Sequence, residues 1–142
     1  MGTKSENIRK IETKFSPTIF IMENVKGILS AQVNGEKIIT KIFEDLQSPK
    51  KAVAGNDVSS NNLEYNIYSL VTQTEEGIKL NPADYLIKSE KYGIPQSRHR
   101  VILLGIRKDV DIKPDILKQS DKVNVKTMLS DLPDLRSCFT KV

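Results

Sequence analysis

One cysteine and one histidine in 142 residues leave little for redox or metal chemistry. A single cysteine cannot close an internal disulfide, and a reducing cytoplasm is then the default compartment. The same scarcity excludes an ordinary zinc cluster built within the chain, so no metal site is expected. No apolar run approaches the roughly 20 residues that span a bilayer, and no membrane partner is expected. Residues 1–6 carry no apolar segment that would read as a secretory signal, and the spacing after Gly2 does not suit N-myristoylation. Internal repeats and low-complexity tracts are also missing.

What is present suits one domain with a real core at this length. Hydrophobic residues make up 38% and charged residues 28%, a composition that points to a soluble protein. The net charge of +4 is too small to argue for nucleic acid by itself. Its distribution says more, because Lys88–Lys108 holds six Lys or Arg against one acid, Glu90. That run predicts a local positive field.

Taken in order, Ile8, Ile11 and Phe15 fall at helical spacing over residues 5–15, with Ser5 as a candidate cap and Ser16-Pro17 as the stop. A short, wholly apolar strand follows over residues 18–23 and ends where Glu23-Asn24-Val25-Lys26-Gly27 turns polar. Asn34-Gly35 marks a loop or turn, and a helix is expected from about Glu36 with Ile38, Ile39, Ile42, Phe43 and Leu46 on one face. Residues 47–62 are polar and read as a surface loop inserted in a standard fold. A second strand is expected over residues 65–72. Asn81 or Asp84 is a candidate cap for a short helix through Lys91, with Pro82 tolerated in its first turn. Gly93 and Pro95 make a tight loop, and a buried, β-branched strand covers residues 100–106. Residues 107–120 read as a departing surface segment, and a last short helix is expected near Thr127–Leu132. Helices alternating with buried strands argue for an α/β layer architecture.

Two places carry candidate chemistry. Glu23 closes an apolar strand, and ligands of α/β sheets bind at the carboxyl ends of strands. A carboxyl partly withdrawn from water there would donate a proton or hydrogen bond near neutral pH; the plainer reading is that Glu23 or Asn24 bonds neighbouring backbone amides. Arg98 and Arg100, two apart, are expected on one side of an extended backbone. Paired guanidiniums there fit a phosphate or other rich acceptor, or else water and acidic loops.

Together, Phe20-Ile21-Met22-Glu23-Asn24-Val25-Lys26-Gly27 resembles the Glu-Asn-Val motif of the cytosine-5 DNA methyltransferases. Tyr92-Gly93-Ile94-Pro95-Gln96-Ser97-Arg98-His99-Arg100 resembles their Gln-x-Arg-x-Arg motif, including its Gly-Ile/Val-Pro lead-in. Leu80-Asn81-Pro82-Ala83-Asp84-Tyr85 is similar to the segment placed just ahead of it. The order and the roughly 70-residue interval agree with the family over about residues 8–107. Asp131-Leu132-Pro133-Asp134-Leu135-Arg136-Ser137 is similar to a segment that some members carry beyond it.

The resemblance implies a partial Rossmann-like fold of the S-adenosylmethionine-dependent methyltransferases, the later part of the sheet, with its last strand antiparallel to its neighbours. It implies catalytic residues at Glu23, Arg98 and Arg100, with Asn24 and Gln96 as loop or substrate support. The family flips a cytosine from double-stranded DNA, adds a cysteine to C6, and methylates C5 from S-adenosylmethionine. Glu23 matches the glutamate that meets N3 and the exocyclic amine; the two arginines match those that hold the flipped nucleotide and organise that glutamate.

The departures are informative. The nucleophile of the family lies in a Pro-Cys motif ahead of Glu-Asn-Val, whereas the sole cysteine here, Cys138, follows both motifs in Ser137-Cys138-Phe139. It reads as an ordinary thiol. No Gly-x-Gly occurs, so the glycine-rich turn that opens the cofactor site has no counterpart. Residues 1–106 thus read as part of a catalytic domain, and 107–142 as a surface segment leading toward a target-recognition region. The expected function is a fragment or split subunit of a DNA (cytosine-5-)-methyltransferase, inactive alone and completed by another polypeptide. A catalytically inactive remnant or DNA-binding accessory is the alternative. An uncovered sheet edge would also allow self-association.

Overall fold

The computed structural model describes residues 15–49, 64–73 and 80–133. The chain divides into one unit of residues 1–87 with 99–117 and a second of residues 88–98 with 118–142. The expected helix over 5–15 and most of the expected polar loop over 47–62 lie outside the described residues, as does Cys138.

The first unit is built on a sheet whose middle strand comes last in the chain. Strand β1 (Ile19–Val25) opens the unit; β2 (Gln32–Val33) and β3 (Glu36–Lys37) form a small hairpin; helix α1 (Ile38–Gln47) follows. Then come β4 (Tyr65–Tyr68), β5 (Leu86–Lys88) and β6 (His99–Arg107). The sheet order is β1-β6-β4, with β5 also paired to β6. β6 runs antiparallel to both β1 and β4, the direction expected of the last strand.

Direct cross-strand partners share a face of an antiparallel pair. Phe20↔Gly105, Met22↔Leu103 and Asn24↔Val101 therefore project to one side, with Tyr65↔Arg107 and Ile67↔Gly105 continuing it onto β4. This face carries the core: Met22, Tyr65, Ile67, Val101 and Leu103 cluster with Ile42, Leu46 and Tyr85. Helix α1 presents Ile39, Ile42 and Leu46 inward, the spacing read from the sequence. It has no side-chain N-cap bond at Lys37, an omission that costs about 1 kcal/mol. Burying each of three large aliphatic side chains contributes about 1.5–3 kcal/mol, so packing holds this helix and capping does not.

Several boundaries differ from expectation, each for a local reason. β1 continues through Asn24 to Val25, because pairing persists to Val25↔Arg100. Glu23 therefore lies inside the strand and not beyond its end. The helix begins at Ile38 and not near Glu36 because Glu36 and Lys37 pair with Val33 and Gln32. Asn34 and Gly35 both have positive φ, 52° and 83°, the geometry that a two-residue hairpin turn requires. β4 stops at Tyr68, short of residue 72, because buried Ser69 turns the chain: its Oγ accepts from Val71 N–H and Thr72 N–H, both at 3.0 Å.

Pairing of Leu86–Lys88 with β6 explains why no helix runs through Lys91. Pro82–Tyr85 makes only a 3-10 turn, with Asn81 N–H donating to Asp84 Oδ2 at 2.8 Å. Ser69 Oγ donates to the Asp84 carbonyl at 2.6 Å, tying the end of β4 to this turn. Leu86–Lys88 becomes β5 instead. β6 extends one residue beyond the expected strand at each end, and Arg107 Nη1 bonds Ser16 O at 2.9 Å beside the entry to β1.

In the second unit, Ser89–Lys91 forms a 3-10 turn, and Tyr92 makes a parallel bridge with Ser120. Helix α2 (Val125–Met128) starts two residues before the expected position, because Asn124 Oδ1 accepts from Thr127 N–H at 2.7 Å and caps it. Among the described residues no helix is long and apolar enough to cross a membrane.

Gly105 lies under the Phe20 ring, which occupies the space a Cβ would need and meets Tyr65 edge-on at 5.1 Å between centroids. Gly105→Ala is expected to cost about 1–3 kcal/mol by overpacking, whereas Gly27→Ala, with open space around it, should stay within about 0.5 kcal/mol of the parent; urea denaturation measures both. Burial, helped by the Asp84 carboxylate, pushes the Tyr85 phenol up to about 12. The unfolded phenol titrates at about 10, so the stabilisation is complete below that pH and is lost as pH rises toward 12. The urea midpoint of the parent should fall across this interval more steeply than that of Tyr85→Phe.

Candidate active site

Glu23 and Arg100 meet because of the β1–β6 register. Arg100 stands opposite Val25, and Glu23 opposite Ile102, so the two are diagonal neighbours on the sheet face away from α1. Arg100 Nε lies 2.7 Å from Glu23 Oε1. The guanidinium is further aimed by Nη1, which donates to the His99 carbonyl at 2.8 Å. Two groups separated by most of the described chain thus form one anchored ion pair.

The environment of that pair differs from expectation. The Glu23 side chain is 53% exposed and that of Arg100 24%. The carboxylate is not withdrawn from water; it stands at the surface and is oriented by a half-buried arginine. A charged acceptor held in one direction by a guanidinium can receive hydrogen bonds from an amine edge brought to it.

Asn24 has a defined structural role. Its side chain turns back, and Oδ1 accepts the Val25 N–H at 2.9 Å. This is the plainer reading of the segment, realised by Asn24 while Glu23 takes the ion pair.

Arg98 and Gln96 belong to the second unit. Both side chains are exposed, and Arg98 N–H donates to Gln96 O at 2.9 Å. The Arg98 carbonyl accepts from both Ser89 N–H and Ser89 Oγ. Gly93 has φ +74°, and a Cβ there would come within 2.8 Å of Ser120 Oγ. Ser120 N–H donates to Lys91 O at 2.9 Å, so residues 118–122 brace the start of this loop. Ser89 and Ser120 are the supports that the sequence reading missed. Neither carries a local signal, since each acts through a backbone partner distant in sequence. Among the described residues, no group of three or more His, Cys, Asp or Glu is arranged to hold a metal ion.

A family model described as C-5 cytosine-specific DNA methylase matches residues 59–141, more than half of the chain. The chain belongs to this family. Type II methyltransferase M.BbvI of Brevibacillus brevis is 34% identical over 128 residues, covering 88% of this chain and 27% of the relative. M.DdeI of Desulfomicrobium norvegicum is 30% identical over 125 residues, covering 84% and 23%. M.Bpa9945I of Bacillus paralicheniformis is 26% identical over 133 residues, covering 90% and 25%. The chain therefore spans about a quarter of the length of these curated relatives. The family match takes in Gln96, Arg98 and Arg100, and an alignment covering 88% of the chain includes Glu23 wherever it starts.

An exposed pair such as Glu23–Arg100 stabilises a fold only weakly. A double-mutant cycle with Glu23→Gln and Arg100→Met should give a coupling of about 0.2–1 kcal/mol that shrinks as salt is raised. A much larger coupling would mean that the pair serves stability first.

Proposed function

We propose that this chain is a fragment or split subunit of a DNA (cytosine-5-)-methyltransferase that supplies the cytosine-holding side chains. The observation that carries this reading is the Glu23–Arg100 pair, 2.7 Å apart, in a member of the methylase family. A cytosine flipped from duplex DNA offers its exocyclic amine and N3 edge. One Glu23 oxygen accepts from the exocyclic amine, and a proton carried on the other is donated to N3, drawing electron density toward that side of the ring. Arg100 holds the carboxylate in place, and the exposed Arg98 offers its guanidinium to an acceptor on the DNA. Asn24 and Gln96 support the two loops. Residues 1–106 act as the catalytic segment, 107–142 lead toward target recognition, and the sheet is the later part of a Rossmann-like one. We place the working enzyme in the cytoplasm.

In the complete enzyme, S-adenosylmethionine would supply the methyl group, as the family implies. The sequence holds no Gly-x-Gly turn of the kind that opens its site. The Phe20 ring fills the space above Gly105, Ser120 closes on Gly93, and Asn24 spends its oxygen on the Val25 amide. The chemistry of this chain is confined to holding and polarising cytosine, and the attacking thiolate and cofactor site are assigned to other polypeptide.

The second reading is a DNA-binding accessory, favoured by the basic residues around the exposed Arg98. The two separate on Glu23. Mixed with M.BbvI polypeptide lacking the matched segment, the chain should restore methyl transfer to DNA, and Glu23→Gln should lower the rate on the order of a hundredfold or more. Salt-sensitive DNA binding that survives Glu23→Gln, with no transfer in any mixture, would favour the accessory reading.

A further inference from the structure

Residues 90–97 form a loop whose two ends are tied by one residue. Ser89 N–H donates to the Arg98 carbonyl at 3.2 Å, and Ser89 Oγ donates to the same oxygen. A carbonyl oxygen has two lone pairs, and here one serine takes both, with its amide and its hydroxyl. Closing the loop needs only the amide bond. The second donor fixes the plane of the peptide that follows Arg98, and the Arg98 N–H, bonded to Gln96 O at 2.9 Å, fixes the peptide before it. The backbone on both sides of the arginine is therefore held.

Ser89 is itself anchored. It opens the 3-10 turn Ser89–Lys91, and its carbonyl accepts from Tyr92 N–H at 2.9 Å. The Lys91 carbonyl, in the same peptide as that Tyr92 N–H, accepts from Ser120 N–H at 2.9 Å, and Ser120 makes a parallel bridge with Tyr92. Bonds that share a peptide polarise and strengthen one another. They run from Ser120 through the turn to Ser89 and on to Arg98, all within the second unit. The Arg98 side chain contrasts with this backbone. It is exposed, and among the described residues it has no acidic partner. A long guanidinium side chain loses rotamer freedom on binding, so a backbone fixed in advance reduces the ordering that binding still requires. A held backbone under an unpaired guanidinium is the arrangement of a group presented to a ligand.

We propose that Ser89 is the positioning residue for Arg98, its hydroxyl and amide together setting the direction in which the guanidinium leaves the loop toward DNA. This rests on the reading of Arg98 as a DNA contact given above. In this role Ser89 acts through Arg98 and not on the DNA. Its effect falls on how tightly DNA is held and not on the chemical step, because Arg100 has its own anchor for Glu23 at the His99 carbonyl. A serine that served the fold alone would matter equally with or without the arginine.

Methyl transfer by the full chain mixed with M.BbvI polypeptide lacking the matched segment tests the proposal. Ser89→Ala removes the hydroxyl donor and keeps the amide. It should raise KM for DNA about threefold to tenfold, the effect of one hydrogen bond, and leave kcat within about twofold. Ser89→Thr keeps the hydroxyl and should restore KM to within about twofold of the parent. In a chain that carries Arg98→Ala, adding Ser89→Ala should change KM no further, because the group it positions is gone. An unchanged KM in Ser89→Ala, a loss confined to kcat, or an effect as large without Arg98 as with it overturns the proposal and leaves the fragment reading standing. Loss of the parent's circular dichroism in Ser89→Ala assigns the serine to the fold and also overturns it. No transfer in any mixture, the parent included, counts against the fragment reading. Ser89 is then read on the chain alone, by the anisotropy of a fluorescent DNA duplex. Binding weakened about threefold or more by Ser89→Ala, and unaffected by it once Arg98 is alanine, supports the proposal. Equal binding by the parent and Ser89→Ala overturns it, as does a parent that does not bind the duplex.

Discussion

The antiparallel register between β1 and β6 is the constraint on which the rest of the first unit depends. It pairs seven residues of each strand without a bulge, from Ile19↔Ile106 to Val25↔Arg100. One face of that ladder supplies Met22, Val101 and Leu103 to the core, and the opposite face sets Arg100 diagonal to Glu23. A slip of one residue would exchange the two faces. It would carry Glu23 into the α1 core and leave Met22 in water. The hydrophobic effect that places Met22 and Leu103 therefore also places the ion pair, and the site is positioned by a core it does not touch.

The polar contacts around the site follow the same economy. Arg100 spends one guanidinium nitrogen on Glu23 and another on a backbone carbonyl, so its direction is doubly determined. Ser69 ends β4 and donates to the Asp84 carbonyl, tying the two turns together. Such contacts are individually worth about 0.5–1.5 kcal/mol. Their effect is to choose between backbone paths of similar energy, and the bulk of stability comes from Tyr65, Ile42, Leu46, Val101 and Leu103.

Much of this fold was legible in the residues themselves. The apolar runs Ile19–Met22 and Val101–Ile106 announced strands, and the spacing of Ile39, Ile42 and Leu46 announced the buried face of α1. The misreadings share one cause. Glu36-Lys37 resembles a helix start and is a hairpin strand, because Gln32-Val33 lies across from it. Asp84–Lys91 resembles a helix and holds a strand, because β6 lies alongside Leu86–Lys88 and pairs with it. Local propensity is a weak prior when a partner elsewhere in the chain competes for the same amide or carbonyl.

The sequence by itself determined the family, since Glu-Asn-Val and Gln-x-Arg-x-Arg occur in order at a telling interval and no fold is needed to see them. It also determined the α/β class and which residues carry candidate chemistry, because residue type and periodicity are local properties. Only the tertiary structure decided that Glu23 sits inside a strand, exposed and paired with Arg100, and not withdrawn at a strand end. That outcome depends on the pairing of strands more than 70 residues apart, and neither strand alone shows which residue of the other it will face.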